Sequence, residues 1–218
     1  MQFHHIQYVL FDMDGVLLDS EPVHHMAKVQ LLQQCGIASD IDFSSYVGVA
    51  NDVFWADMIQ RYHIRDTAQN LAVQQLRLTA QSIVSGNLKP SQSLPELLAF
   101  LQARRIAMAV VSSSYRTLVK PVLQHLAIGH YFDAVVTGDE VTNVKPSPEL
   151  YCLALRRLGA QPLQAVAVED SRLGVQAAVS AGIPCIGYTN PTSGRQDLSA
   201  AACTVDSLHQ LKQLWEAV

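Results

Sequence analysis

Cysteine is scarce in this 218-residue chain and never closely paired: Cys35, Cys152, Cys185 and Cys203 form no CxxC. That argues against a cysteine zinc site and a disulfide framework, and leaves reduced, buried thiols as the expectation. Charge is sparse too, at 16% of residues, and the net charge of -4 includes no basic run. Nucleic acid and anionic membrane surfaces therefore find no electrostatic footprint, and a small polar ligand fits better. No apolar run reaches membrane-spanning length, and Met1 to Phe11 show no cationic leader before an apolar stretch. A cytoplasmic protein with no membrane partner is expected, a monomer or else a dimer. Repeats, low-complexity tracts and heptads are also missing, so solenoids and coiled coils drop out.

What is present is an apolar content of 49%, enough for a well-buried core at this length. Five short apolar runs have strand length: Tyr8 to Phe11, Ala107 to Val111, Ala134 to Val136, Ala165 to Val168 and Pro184 to Gly187. They are nearly continuous rather than alternating, the pattern of parallel strands covered on both faces. Helices with readable ends lie between them. Ser147, Pro148 and Glu149 supply a cap, a first-turn proline and a first-turn acid ahead of Gly159, and Asp170 or Ser171 caps a helix that stops near Gly182. The alternation predicts an α/β fold with a doubly wound parallel sheet.

Residues 12–106 separate the first run from the second, far more than one crossover needs. The excess reads as helices. Ser20-Glu21-Pro22 opens one that ends before Gly36, Asn51 caps a second, and Asp66 or Thr67 a third. The expected organisation is an α/β core of residues 1–19 and 89–218, with an α-helical cap inserted at 20–88. Hinges near Gly15 to Asp19 and Ser85 to Ser91 would let the cap open and close.

Ligands of such sheets bind beyond the carboxyl ends of the strands. The residues at those ends are Asp12, Ser112, Thr137 and the pair Glu169-Asp170. Strand alternation predicts that Asp12 and Asp14 point to one side, and Asp170 adds a third acid. Three acids facing one point would repel, which implies a hard cation. Few carboxylates, with room for water and substrate oxygens, suit magnesium better than calcium, and no clustered histidine and cysteine ligands speak for zinc.

The segment Asp12-Met13-Asp14-Gly15-Val16-Leu17-Leu18-Asp19-Ser20, followed by Ser112, Lys145-Pro146 and Glu169-Asp170, resembles the four-motif signature of the haloacid dehalogenase superfamily. The insertion point is similar to that of its helical-cap subfamily, which includes sugar-phosphate phosphatases and β-phosphoglucomutase. The resemblance implies a Rossmann-like core and Mg2+-dependent hydrolysis of a small phosphorylated metabolite, a sugar phosphate by this likeness. Asp12 would attack phosphorus to give a phospho-aspartate. Asp14 would act as general acid and then base, its pKa raised by its neighbour's charge. Metal ligands would be Asp12, Asp14 through its backbone carbonyl, and Asp170, with Glu169 either a further ligand or a residue behind them. Ser112 and the backbone N–H groups around Met13, Asp14 and Ser113 would grip the phosphoryl oxygens. Lys145, kept from a helical backbone by Pro146, would reach in from a loop with the fixed positive charge.

Each motif alone has a plainer reading. Asp12-x-Asp14 serves as a turn cluster, Glu169-Asp170 as a helix cap and Lys145 as a solvated cation. Their joint occurrence favours chemistry. His24 and His25 point about 100° apart on a helix, so they do not share a metal; His24 is the candidate for substrate contact, and His4 and His5 are incidental. Phe54, Trp55, Met58 and Tyr62 recur at helical spacing and are expected to pack in a core. In the loop Tyr46-Val47-Gly48-Val49-Ala50-Asn51-Asp52, Val47 and Asn51 stand where the mutase resemblance calls for a lysine and an arginine. The anchor for a distal phosphate is therefore missing, unless Arg77 replaces it, and the mutase becomes the alternative. A non-catalytic phosphate-binding module is a second alternative, disfavoured by the presence of both Asp14 and Lys145, and a true dehalogenase would have no use for Asp14 with Asp170. Substrate contacts are expected at His24, Gly48 and Asn51, and Tyr188 to Pro191 also border the site.

Overall fold

The computed structural model describes residues 5–37, 41, 43, 46, 49 and 51–216. Six strands form one sheet: β1 (Tyr8–Phe11), β2 (Ala107–Val111), β3 (Ala134–Val136), β4 (Ala165–Glu169), β5 (Cys185–Tyr188) and β6 (Cys203–Val205). Their order is β3-β2-β1-β4-β5-β6, and every pairing is parallel. Along β1, Val9 and Phe11 enter one apolar cluster and Leu10 the other, as a two-residue side-chain period dictates. Helices α4 (Leu94–Ala103), α5 (Arg116–His125) and α8 (Leu208–Glu216) cover the first face; α6 (Glu149–Leu158) and α7 (Arg172–Ser180) cover the second. With both faces buried, the strands read as unbroken apolar runs, and the fold is the doubly wound, Rossmann-like sheet expected.

Three details differ from the sequence reading. Strand β5 begins at Cys185, because Pro184 has no N–H for the ladder and offers only its carbonyl, to the Ala167 N–H at 2.9 Å. Strand β6 is a three-residue edge strand, partly exposed, with no apolar run to announce it. Helix α6 takes Pro148, not Ser147, as its N-cap residue.

Between the first two strands, ahead of α4, stand α1 (Glu21–Gln34), α2 (Asn51–Tyr62) and α3 (Ala68–Ser85), with no strand among the described residues there. Asn51 is the first residue of α2, while Thr67 caps α3, its hydroxyl accepting from the Asn70 N–H at 3.2 Å. The three helices share a cluster of their own: Leu31 and Leu32, then Phe54, Trp55 and Met58, then Leu71 and Ala72. Phe54, Trp55 and Met58 are fully buried, and each side chain of this size contributes about 1.5–3 kcal/mol on burial. Tyr62, expected to join them, is instead exposed. Helix α3 also reaches the sheet side, where Leu76, Ala80 and Ile83 pack into the first cluster. No helix among the described residues is long and apolar enough to cross a membrane.

The chain lays down β1, β2 and β3 in one direction and resumes with β4 on the other side of β1, so the order reverses between β1 and β4. A doubly wound sheet opens its ligand crevice at that point. Phe11 is level with Val168 on one side and Val110 on the other. The next residues, Asp12, Glu169 and Val111, are therefore carried to the crevice together, with Ser112 one position on.

Candidate functional site

Carboxylate oxygens of Asp12, Glu169 and Asp170 lie within 4.8 Å of one another, all three buried. Burial pushes the Asp12 pKa well above the ordinary carboxylate range, against the pull of Lys145 and with further push from Glu169 and Asp170. The Asp170 carboxyl is likewise pushed up to about 7, chiefly by burial, despite the hydrogen bond it accepts from the Ser193 hydroxyl. Asn190 holds that serine in turn, donating to its Oγ at 3.0 Å. Gly15 is required here twice over. Its φ of +80° disfavours a side chain, and a Cβ would stand 1.9 Å from Asp170 Oδ2.

Lys145 is the counter-charge. Its ammonium uses its three N–H groups on Asp12 Oδ1 at 2.6 Å, Glu169 Oε1 at 2.6 Å and the Val111 carbonyl at 2.8 Å. Burial would lower its pKa, but Asp12 and Glu169 outweigh this and raise it. The Tyr151 hydroxyl donates to Glu169 Oε1 at 2.6 Å, while Oε2 is buried without a partner and faces Gly174, where a Cβ would approach to 1.9 Å. Glu169 thus stands behind Asp12 and Asp170, which alone of the three line the cleft.

Asp14 departs from the expected cluster of Asp12, Asp14 and Asp170. Its side chain turns to the start of α1, accepting from Ser20 Oγ at 2.6 Å and His24 Nε2 at 3.1 Å, and from Ser114 Oγ at 2.8 Å. Its pKa is correspondingly lowered and not raised: burial pushes it up, but His24 and the donors around it prevail. A hydrogen-bond chain fixes the donor at His24. The Trp55 indole N–H can only donate, and it does so to Gln75 Oε1 at 2.9 Å. That turns the Gln75 amide N–H toward His24 Nδ1 at 3.3 Å, so Nδ1 accepts and Nε2 carries the hydrogen aimed at Asp14.

These groups open into one cleft of about 840 Å³ between the sheet end and helices α1 to α3, a volume suited to a small ligand. Asp12, Asp14, Lys145, Asp170, Ser113, His24 and Asn51 line it as the sequence reading proposed. Ser112 is fully buried beneath the lining, its Oγ accepting from the Ser114 N–H at 3.0 Å. The backbone N–H groups of Met13, Asp14 and Ser113 donate to no protein group among the described residues, nor does the Asp14 carbonyl accept from one. Gly48 and Val47, with Ala50 and His4, lie outside the described residues. Thr137 is engaged elsewhere, its N–H and hydroxyl bonded to Glu140 at 3.0 and 3.1 Å. Arg77 is exposed and not among the cleft-lining residues, and Ser193 and Gln196 border the site in place of Tyr188 to Pro191.

Five contributors escaped the sequence reading as site residues: Ser114, Tyr151, Ser193, Gln75 and Lys28. Ser114 had a signal, as the third residue of the serine run that opens with Ser112. The others act across long sequence separations, which no local pattern encodes.

The family description for haloacid dehalogenase-like hydrolases matches residues 9–188. This chain belongs to that family. It is similar to the phosphorylated carbohydrates phosphatase of Thermotoga maritima, 34% identical over 179 residues, covering 82% of each chain. It is also similar to the fructose-1-phosphate phosphatase of Escherichia coli, 32% identical over 180 residues, covering 82% of this chain and 94% of that one. Among solved structures, CbbY from Rhodobacter sphaeroides in complex with phosphate superposes with a TM-score of 0.84 at 26% identity, covering 94% of this chain and 96% of the other.

Proposed function

We propose that this hydrolase is a magnesium-dependent phosphatase that moves the phosphoryl group of a small phosphorylated metabolite, a sugar phosphate, to Asp12 and then to water. The supporting observation is the separation of the two aspartates: Asp12 is bonded to Lys145 among buried acids, whereas Asp14 is held toward the cap by hydroxyl and imidazole donors. The relatives' activities on phosphorylated carbohydrates support the substrate class.

The residues fit a hard divalent ion. Asp12, Asp170 and the free Asp14 carbonyl are all oxygen donors, the buried carboxylates of Asp12, Glu169 and Asp170 crowd within 4.8 Å of one another, and Gly15 leaves the space beside Asp170 clear. Magnesium bound there would offset the repulsion between carboxylates and incoming phosphate. Glu169 anchors Lys145 from behind, and the cap residues 20–88 would close over the ester.

The free N–H groups of Met13, Asp14 and Ser113 would bind the phosphoryl oxygens, with the Lys145 ammonium supplying fixed positive charge beside Asp12 and the buried Ser112 hydroxyl holding the Ser114 N–H beneath them. The Asp12 carboxylate attacks phosphorus, forming an O–P bond as the ester O–P bond breaks. Asp14 gives its proton to the departing oxygen; the phosphate's negative charge beside it favours the protonated form that this step needs. It then takes a proton from the water that attacks phosphorus, freeing Asp12 and inorganic phosphate. Phosphate release from a panel of sugar phosphates, with magnesium and then with chelator, tests the reading. Asp12→Asn should fold normally yet lose turnover, and substantial residual activity would rule out the nucleophile.

A further inference from the structure

Along α1 the residues that line the cleft are Glu21, His24, His25 and Lys28. His24 marks the reaction end, since its Nε2 lies 3.1 Å from Asp14. Four residues of helix rise about 6 Å, so Lys28 stands one turn further out, on the same face and above the place where a leaving group would extend. Glu21 lies one turn the other way, close enough to Asp170 to raise its pKa.

Two lysines line the cleft among the described residues, and Lys145 is fully engaged at the acids. Among the described residues Lys28 makes no ion pair. Its ammonium sits half-buried, 4.7 Å from the centroid of the buried Phe54 ring. Burial lowers its pKa, only partly opposed by Glu21. Arg61, which does not line the cleft, is paired with Asp57 at 3.2 Å, and the other acid at the cleft, Asp52, is solvent-exposed. A half-desolvated ammonium with no carboxylate in contact among the described residues, and only the more distant charge of Glu21 to oppose its burial, is a poor arrangement for a resting protein and a good one for an anion that arrives with substrate.

We propose that Lys28 selects phosphomonoesters whose leaving group carries a second anionic group, a carboxylate or a further phosphate, about one helical turn from the ester oxygen. The inference rests on the phosphatase reading and adds to it the chemistry of the leaving group. It also supplies the distal cation that the loop at Tyr46 to Asp52 was expected to lack.

The test compares the unmodified protein with Lys28→Met and Lys28→Arg on four esters: phosphogluconate, fructose bisphosphate, glucose phosphate and para-nitrophenyl phosphate. Lys28→Met should raise KM for the first two by about tenfold or more, the effect of losing one charge-assisted contact, with kcat nearly unchanged. KM for the two uncharged leaving groups should stay within about twofold, and Lys28→Arg should keep the preference. A larger change with phosphogluconate assigns a carboxylate, and a larger one with fructose bisphosphate assigns a phosphate. Equal KM shifts for charged and uncharged leaving groups, or no shift, would overturn the inference while leaving the phosphatase standing. No turnover of any ester by the unmodified protein would sink both.

Discussion

Replacing Gln75 with leucine would cut the link between the apolar cluster of α1 to α3 and Asp14, the proposed general acid. The side chain is fully buried and makes two bonds, accepting from Trp55 at 2.9 Å and donating to His24 at 3.3 Å. Leucine is close in volume, so the cost is electrostatic rather than a cavity. It leaves a buried indole N–H and a buried imidazole nitrogen without partners, at about 1–3 kcal/mol each. For a chain of this size each kcal/mol shifts Tm by about 2–4 °C, so a fall of about 4–24 °C is expected in a thermal melt. With Nδ1 unpinned, the His24 ring no longer has to present Nε2–H to Asp14, and kcat should drop about tenfold, the worth of one hydrogen bond, with little change in KM. Gln75→Glu separates the two roles, because it keeps the Trp55 bond but presents an acceptor where His24 needs a donor; stability should partly return while kcat stays low. A Tm within about 1 °C of the unmodified protein, together with unchanged kcat, would refute the chain of bonds as drawn.

Two further outcomes follow from the buried charges. The Asp170 pKa is raised from 3.8 to about 7, so without a cation its ionisation costs stability as pH rises across that window. Magnesium competes with the proton there, and the Tm gained on adding it should grow with pH until about 7 and then level off; a gain independent of pH would contradict the site. Lys145→Met leaves Asp12 and Glu169 buried without their counter-charge, at a cost of about 3–5 kcal/mol in urea unfolding. Adding Glu169→Gln should recover part of that stability but none of the phosphate release.

Much of this was legible because local patterns carried it. Continuous apolar runs marked buried parallel strands, and the acids and hydroxyls directly after them marked the crevice, since strand ends and crevice coincide in this fold. Ser171 and Thr67 revealed their helices by capping, a property of one residue and its next few neighbours. The direction of the Asp14 side chain was not legible. Strand alternation placed it beside Asp12, but the strand ends at Phe11, and the turn at Gly15 frees Asp14 to meet donors at Ser20, His24 and Ser114. Gln75 lies 51 residues from His24, and Tyr151 reaches Glu169 from a helix on the far side of the sheet's rim. Such partners are chosen by tertiary packing. Lys28 was passed over because a lysine on a helix is ordinarily solvated, and only the position of Phe54 and the cleft distinguishes it.

The account depends on a covalent phosphoryl group at one carboxylate. Borohydride added during turnover reduces an acyl phosphate to an alcohol, and peptide mapping should then find homoserine in place of Asp12 in the unmodified protein, with none in Asp12→Asn. Turnover without reduction at position 12, or reduction at Asp14 or Asp170 instead, would contradict it.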